Sequence, residues 1–238
     1  ATPLPTATPS PTPQPTPSPK SPGPTPAPQP IVLPPDEGPH EVPREWWYYS
    51  GHLADEDGRQ FGFHFVIFKV WEPGFPQVLL GQIGITEVGI DQHVSAGFIN
   101  LHTQQAGSGE LSVSGRDWML GIADGIHSLE GEVAGMRLSA TLTPTKAAVL
   151  HNGDGWLADS QVLGWTYYYS WSRMDAEATL ETEDGSTHLT GTAWMDHQWG
   201  DFDVPDPPAG WQWFAIQLDD GRDLMLTSIR GQDGVETA

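Results

Sequence analysis

The sequence predicts an all-β protein folded as an antiparallel barrel or sandwich. Short runs in which apolar and polar residues alternate follow one another at intervals of about 8–12 residues, which is typical of antiparallel sheets. No segment of the 238 residues places apolar side chains at helical spacing over several turns. Turn motifs separate the runs, among them DEDG at 55–58, EDG at 183–185 and DDG at 219–221.

The first two strands are the most clearly marked. Residues 45–54 (EWWYYSGHLA) and 59–71 (RQFGFHFVIFKVW) flank the DEDG turn and predict a hairpin. Side chains alternate between the faces of a strand, which puts His64 on one face and four apolar residues on the other: Phe61, Phe63, Phe65 and Ile67. Further strands are predicted at 78–90, 93–102, 110–120, 125–133, 135–143, 161–174, 187–199, 211–218 and 222–230.

The last predicted hairpin, 211–218 with 222–230, lies close to the end of the chain. Trp211 and Trp213 would give one of its faces a large indole surface. An isolated hairpin is marginally stable in water, so this one is expected to pair with an earlier element or with a continuation of the chain. We therefore expect the chain to be truncated.

Residues 1–30 differ from the rest in composition. Thirteen of the 23 prolines lie there, among Thr, Ser, Ala and Gln. Such a segment cannot bury a core, so it is predicted to be a disordered, semi-rigid linker. The chain begins at Ala1 without Met or a signal peptide, and Pro/Thr-rich stalks are commonest outside the cytoplasm. We expect an extracytoplasmic protein that is secreted, periplasmic or tethered to the cell surface by this linker.

Composition excludes several classes of function. The formal net charge is −21 and no cluster of basic residues exists, so nucleic acid is not expected as a partner. There is no cysteine, which excludes disulfides and thiol catalysis. No apolar run approaches the roughly 18 residues needed to span a bilayer. The histidines lack spacings such as H-x-H or H-E-x-x-H, so neither a metal nor another cofactor is expected.

The densest group of reactive side chains is the segment 191–203 (GTAWMDHQWGDFD). Alternation puts Asp196 and His197 on opposite faces of a strand, one facing inward and the other outward. An inward Asp196 beside the indole of Trp194 would be poorly solvated, which raises the pKa of a carboxyl group and suits a proton donor. Asp196 and His197 are therefore the candidate catalytic residues. In the alternative, structural interpretation, Asp196 accepts backbone N–H bonds in a turn.

Two further segments, 165–173 (WTYYYSWSR) and 45–52 (EWWYYSGH), are rich in aromatic residues with polar tips. Such side chains suit a mostly apolar pocket with a few oriented hydrogen bonds, or an ordinary core. The candidate substrate-binding residues, which include one histidine from the second strand, are Trp194, Tyr167, Tyr169, Trp47 and His64.

Several of these segments together resemble a known family. EWWYYSGHL, followed by a turn and FGFHFVIFKVW, is similar to the start of the carotenoid 1,2-hydratase/AttH-like family, whose members are also labelled predicted secreted hydrolases. GTAWMDHQWGDF resembles the second signature of that family, and YYYSWSRM resembles the strand before it. The resemblance spans about residues 41–218. It implies two consecutive lipocalin-like β-barrel domains, of which 31–190 would be the first and 191–238 the junction and the beginning of a truncated second.

The resemblance also implies chemistry. In the hydratases of this family, an Asp preceded two positions earlier by an aromatic residue is implicated as the proton donor to an isoprenoid double bond, and this pair falls on Asp196 and Trp194. A His-x-Trp pair of those hydratases falls near Tyr167 and Tyr169, so the present chain departs from the pattern there.

Three hypotheses follow. In the first, the protein binds an apolar small molecule, such as an isoprenoid or lipid, and Asp196 acts as acid or base in a hydration, an isomerisation or a hydrolysis. In the second, it is a non-catalytic lipid or pigment carrier of the same fold. In the third, it is a surface carbohydrate-binding sandwich, which would display its aromatic side chains in an exposed row. The residues alone do not decide whether the protein is an enzyme.

Overall fold

The computed structural model describes residues 25–72, 74–90, 92–101, 110–158, 163–203, 210–230 and 236–237. Most of the segment predicted to be disordered, residues 1–24, lies outside the described residues. Within the described ranges the strands are β1 (Arg44–Ala54), β2 (Gln60–Val70), β3 (Val78–Glu87), β4 (Gln92–Leu101), β5 (Leu111–Ser114), β6 (Trp118–Ala123), β7 (Ile126–Val133), β8 (Met136–Pro144), β9 (Val149–Leu150), β10 (Trp156–Leu157), β11 (Leu163–Thr182), β12 (Gly185–Asp203), β13 (Gly210–Gln217), β14 (Asp223–Arg230) and β15 (Glu236–Thr237). Two short 3₁₀ helices cover Pro35–Glu37 and His151–Gly153.

The strands form one large antiparallel sheet in the order β4–β3–β2–β1–β12–β11–β8–β7–β6–β5, with β9 and β10 added to β11. The sheet curls until its two ends approach each other. Phe98 on β4 stacks on Trp118 of β6 with their ring centroids 4.4 Å apart. The side-chain amide of Asn100 donates a hydrogen bond to the carbonyl of Ser114 at 3.3 Å. The prediction of an antiparallel, barrel-like all-β fold is therefore confirmed.

The inner face of the curled sheet carries the core. Alternate residues of β1 and β2 are buried there, and the four apolar residues predicted to share a face of β2 do so. Gly51 permits the packing: a Cβ at this position would lie 2.4 Å from the Phe63 ring and 2.7 Å from the carbonyl oxygen of Thr192. A side chain there would force the two neighbouring strands apart.

Two predicted strand boundaries are corrected. The strand predicted at 110–120 is two strands, β5 and β6, joined by a tight turn in which the Gly115 N–H bonds the Trp118 carbonyl. The strands predicted at 161–174 and 187–199 are longer, and they form one hairpin, β11 with β12, through the predicted turn at 183–185. The extra length of β11, residues 175–182, carries apolar side chains at alternate positions that are buried: Ala176, Ala178 and Leu180.

The predicted hairpin near the chain end is present as β13 and β14, which form a separate sheet with β15. This hairpin lies against the outer face of β11 and β12. The amide of Gln217 donates hydrogen bonds to the backbone carbonyls of Ser172 and Ala193, at 2.8 and 3.1 Å. Asp223 accepts hydrogen bonds from Ser172 at 2.9 Å and Arg173 at 2.7 Å. The side chain of Trp211 lies outside the described part of the structure.

The long strand β12 runs without interruption across the predicted domain boundary between residues 190 and 191. Residues 191–203 therefore belong to the large sheet, where they pair with β1 and β11. A second barrel beginning at this point stays a prediction.

Candidate active site

Asp196 and His197 lie on opposite faces of β12, as alternation predicted, yet both are buried. Asp196 is 3% exposed and His197 is 0% exposed. Asp196 is the outward-facing residue and His197 the inward-facing one, and the outward position is nevertheless shielded from water. The reason is the β13–β14 hairpin, which covers the outer face of the strand. The site therefore consists of two buried polar clusters, one on each side of the sheet.

The outer cluster is centred on the Asp196 carboxylate. Its Oδ1 accepts hydrogen bonds from the indole N–H of Trp194 at 2.7 Å and from the Ser170 hydroxyl at 2.5 Å. Its Oδ2 accepts a hydrogen bond from the Tyr168 hydroxyl at 2.9 Å. All three donors are neutral side chains. Burial raises the pKa of Asp196 to about 6, although the hydrogen bonds from Ser170, Trp194 and Tyr168 act in the opposite direction.

A histidine extends this cluster toward the surface. His151 follows β9 and precedes β10, the two short strands that pair with β11. Its Nε2 lies 2.8 Å from the Ser170 hydroxyl oxygen, and its ring lies over the Tyr168 ring with centroids 3.8 Å apart. Burial lowers the pKa of His151 to about 4, so the ring is neutral at pH 7.

Aromatic and thioether groups cover the Asp196 cluster. Trp213 on the hairpin contacts the rings of Tyr48 and Trp194 edge to face, at centroid distances of 5.3 and 6.1 Å. The sulfur of Met225 lies 3.3 Å from the Tyr168 hydroxyl oxygen. A charged group placed here would be surrounded by soft, polarisable surface rather than by water.

The inner cluster is built around Glu45, which is 1% exposed. Glu45 Oε1 lies 2.9 Å from His197 Nε2 and 2.7 Å from His40 Nδ1, while Oε2 lies 2.5 Å from the ammonium of Lys69. Burial alone would raise the pKa of Glu45, but hydrogen bonds from His197 and His40 and the charge of Lys69 hold it at about 2. Burial lowers the pKa of His197 to about 4.

The donor atoms of His40, Glu45 and His197 lie within 4.8 Å of one another, close enough for a metal ion. Lys69 already supplies a cation to this carboxylate, and an added divalent ion would be repelled by it. We interpret the inner cluster as a buried ion pair with two attached histidines. It fixes the chain before β1, because Lys69 also donates a hydrogen bond to the backbone carbonyl of His40.

A second buried carboxylate lies at the same inner face. Glu37 accepts a hydrogen bond from the Trp171 indole at 3.2 Å, and its Oε1 lies 3.7 Å from Nε2 of His127. His127 in turn bonds the Tyr49 hydroxyl through Nδ1 at 2.8 Å. The backbone carbonyl of Glu37 also accepts the Trp47 indole N–H at 3.2 Å. The segment that precedes β1 is thus part of the packed core.

The sheet divides the predicted site residues into two groups. Trp194 lies with Asp196 on the outer face. The other aromatic candidates lie with His197 on the inner face: Trp47 stacks on its ring at 4.8 Å, and Tyr169 bonds its Nδ1 at 3.3 Å. Tyr167 stacks on Trp199 at 5.3 Å. A single pocket holding Asp196 together with Trp47, Tyr167 and Tyr169 is therefore ruled out by strand alternation.

His64 takes part in neither cluster. It is half-buried on the outer face of β2, where its ring lies 6.3 Å from that of His93. Register places it opposite Ser50 of β1, and Ser50 lies opposite Trp194 of β12. His64 is therefore two strands away from the Asp196 cluster.

Sequence reasoning missed Tyr168, Ser170 and His151 as partners of Asp196. In the β11–β12 register Ser170 lies directly opposite Asp196. Counting back from the EDG turn, where Thr182 lies opposite Gly185, would place Trp171 opposite Asp196 instead, and the irregularity between Trp171 and Met174 shifts this pairing by one residue to Ser170. His151 reaches the cluster through tertiary structure alone.

The fold and the site define a lipocalin-like β protein with a buried carboxylate beneath a covering hairpin. The chain belongs to the AttH-like family, whose family model matches residues 24–238. The resemblance drawn from the two signatures is therefore confirmed.

Solved structures agree with this assignment. A protein from Nitrosomonas europaea assigned as an AttH has a TM-score of 0.79 at 26% sequence identity, over 90% of this chain and 69% of that one. Kievitone hydratase from Nectria haematococca has a TM-score of 0.52 at 13% identity, over 81% of this chain and 63% of that enzyme, and this likeness shows the fold alone. No curated protein matches the sequence. None of the described helices is long and apolar enough to cross a membrane.

Proposed function

We propose that the protein binds an apolar, unsaturated small molecule next to Asp196 and transfers a proton to its double bond, in a hydration or an isomerisation. The observation that carries the proposal is the environment of Asp196. Its carboxyl group is buried, receives hydrogen bonds only from neutral side chains, and has a pKa of about 6. A carboxyl group with such a pKa is partly protonated near neutral pH and transfers its proton readily.

The surroundings suit the species that protonation would create. Protonating a trisubstituted alkene leaves a tertiary carbocation, and an aromatic face stabilises a cation by roughly 0.5–2 kcal/mol. The rings of Trp194, Trp213 and Tyr48 lie around the carboxyl group. The carboxylate left after proton transfer is itself a counter-ion for the cation and a base for the water that adds to it.

The hairpin offers a place for the ligand. Near its turn, polar bonds from Gln217 and Asp223 hold it to the large sheet. Toward its other end the contacts are those of Trp213 and Met225, which are aromatic and apolar. Such contacts are non-directional, so an apolar molecule can replace them without leaving polar groups unsatisfied.

Hydrolysis through a serine nucleophile fits this geometry less well. The Ser170 hydroxyl has a single proton, and the ionised Asp196 can only accept a hydrogen bond. Ser170 therefore donates to Asp196, and His151 Nε2 must donate to Ser170. In this arrangement His151 cannot act as the base that would activate Ser170.

The carrier and carbohydrate-binding hypotheses have less support. A carbohydrate platform needs exposed rings, whereas Trp47, Trp194 and Trp199 are buried. A pure carrier has no need of a desolvated carboxyl group in its binding site. Export to an extracytoplasmic location is part of our proposal and rests on the Pro/Thr-rich composition of residues 1–30.

Deuterium incorporation tests the proposal. A short acyclic isoprenoid alcohol, geraniol, is incubated with the protein in D₂O and analysed by mass spectrometry. We expect deuterium in the recovered probe or in a hydrated product with the unchanged protein and with Asp175→Asn, which alters an exposed carboxylate of β11. We expect none with Asp196→Asn. Binding of the probe in native mass spectrometry without any incorporation would favour the carrier hypothesis instead.

A further inference from the structure

We infer that His151 and Ser170 form a proton path that connects the buried Asp196 carboxyl group to solvent. The path consists of three side chains joined by two successive hydrogen bonds. His151 Nε2 lies 2.8 Å from Ser170 Oγ, and Ser170 Oγ lies 2.5 Å from Asp196 Oδ1. The function of the path rests on the function proposed above, whereas the path itself rests only on these contacts.

Asp196 needs such a path because it has no direct contact with water. It is 3% exposed, and both of its oxygens are engaged by side-chain donors from β11 and β12. Trp194 cannot carry a proton, because an indole N–H is a donor only. In the ligand-free protein, a proton that passes between Asp196 and solvent must therefore move through Ser170 or Tyr168.

The hydrogen-bond directions favour Ser170. With Asp196 ionised, the Ser170 hydroxyl donates to Asp196 and the neutral His151 donates its Nε2–H to Ser170. His151 is only partly buried, and its Nδ1 has no hydrogen-bond partner among the described residues. The unprotonated Nδ1 of His151 is therefore the end of this hydrogen-bond path that solvent can reach.

The transfer balances without any further reactant. Nδ1 of His151 takes a proton from a water molecule, which leaves as hydroxide, and the Nε2–H proton moves to the Ser170 oxygen. The former Ser170 proton moves to Asp196 Oδ1, which becomes a carboxyl group. His151 ends as the neutral Nδ1–H tautomer, and the same steps in reverse return the proton to hydroxide and restore the Nε2–H form.

Other groups face the path without completing it. Tyr168 donates a hydrogen bond to Asp196 Oδ2 and its ring contacts that of His151, but burial raises the pKa of its hydroxyl well above the usual value, so it does not ionise. Tyr48 and the hairpin residues Trp213 and Met225 cover the cluster. The charged groups of the hairpin contact, Lys146 and Arg173 with Asp223, pair with one another.

Carbon-13 NMR of protein labelled at the aspartate Cγ tests the path without any ligand. Near the titration midpoint of Asp196, fast proton exchange gives one averaged resonance, and slow exchange gives separate resonances for the two protonation states. Asp196→Asn identifies the signal. We expect the unchanged protein to show the averaged resonance. His151→Phe should slow the exchange by roughly a hundredfold, the lower end of what a positioned acid–base group contributes, and separate the resonances.

Two more variants keep the test decisive. Ser170→Ala interrupts the same chain with His151 in place, and it should slow the exchange as well. Tyr168→Phe keeps the ring beside His151 and leaves the chain intact, so the exchange should stay fast. An averaged resonance in both His151→Phe and Ser170→Ala would overturn the path, and so would slow exchange in Tyr168→Phe alone. These outcomes do not depend on deuterium incorporation into geraniol, so failure of the proposed reaction and failure of the path are distinguishable.

Discussion

Replacing Asp196 with Asn should make the protein more stable at neutral and alkaline pH. The ordinary pKa of an aspartate side chain is 3.8, and burial raises that of Asp196 to about 6. The folded state therefore binds the Asp196 proton more tightly than the unfolded state does. Ionising the carboxyl group in the folded protein costs free energy, and an asparagine, which cannot ionise, avoids this cost.

The size of the effect follows from the two pKa values. The difference between 3.8 and about 6 corresponds to about 3 kcal/mol, at about 1.4 kcal/mol per pH unit. Below pH 3.8 the protonated carboxyl group contributes this free energy to folding in full, and the contribution is lost as the pH rises through 6. The asparagine keeps the hydrogen bonds, because its oxygen accepts from Ser170 and Trp194 and its amide donates to the Tyr168 hydroxyl oxygen.

Urea denaturation followed by the fluorescence of the 11 tryptophans measures the difference. The free energy of unfolding of Asp196→Asn should be close to that of the unchanged protein near pH 4 and exceed it by about 3 kcal/mol at pH 8. At the usual dependence of this free energy on urea concentration, the urea midpoint at pH 8 rises by about 1 M or more. Asp223→Asn is the matched control of opposite sign. Burial would raise the pKa of Asp223, but hydrogen bonds from Lys146, Arg173 and Ser172 lower it. Asp223→Asn should therefore be less stable than the unchanged protein at pH 8 and nearly as stable at low pH.

An Asp196→Asn variant no more stable than the unchanged protein at pH 8 would contradict a raised pKa of Asp196. A difference in stability that is the same at pH 4 and pH 8 would contradict it as well, because only ionisation of the carboxyl group makes the difference depend on pH.

Three further predictions follow from the structure. Lys69→Met leaves a buried carboxylate without its cation and should lower the free energy of unfolding by about 3–5 kcal/mol in urea denaturation at pH 7. Lys146→Met, at the partly exposed contact with Asp223, should lower it by about 1 kcal/mol or less. Tyr168→Phe should raise the pKa of Asp196 above 6, measured by carbon-13 NMR, because it removes a hydrogen bond to the ionised form. Deleting residues 1–24 should leave the midpoint of thermal unfolding unchanged in calorimetry, and a fall of several degrees would show that this segment packs on the domain.

The strand pattern was predictable because it depends on local sequence. Alternation in β1 and β2, the DEDG and EDG turns, and the placement of Asp196 and His197 on opposite faces all follow from side-chain periodicity and turn chemistry. The two signatures sufficed to identify the family.

The burial of Asp196 was not predictable by the same means. It depends on where the β13–β14 hairpin lies, and that position is fixed by contacts of Asp223 and Gln217 with β11 and β12. These contacts join residues about 20–50 positions apart, beyond the reach of periodicity. The partners of Asp196 follow from register, which one irregularity in β11 disturbs. Tyr167 and Tyr169 do not share a pocket with Asp196, because strand alternation places them on the opposite face of the sheet.

The contrast between Glu45 and Asp196 decides which of two buried carboxylates is suited to chemistry. Both lie beside aromatic rings and neutral hydrogen-bond donors, and both are almost fully buried. For Glu45, the hydrogen bonds from His197 and His40, together with the ammonium of Lys69 at 2.5 Å, hold the pKa at about 2, so this carboxylate is ionised at neutral pH. Asp196 has no cation among its hydrogen-bond donors, so desolvation dominates and the carboxyl group stays able to exchange a proton near neutral pH. A carboxylate fixed in one charge state can stabilise a fold, and one that changes charge state at working pH can transfer a proton. Glu45 is of the first kind and Asp196 of the second, and they lie on opposite faces of the same sheet.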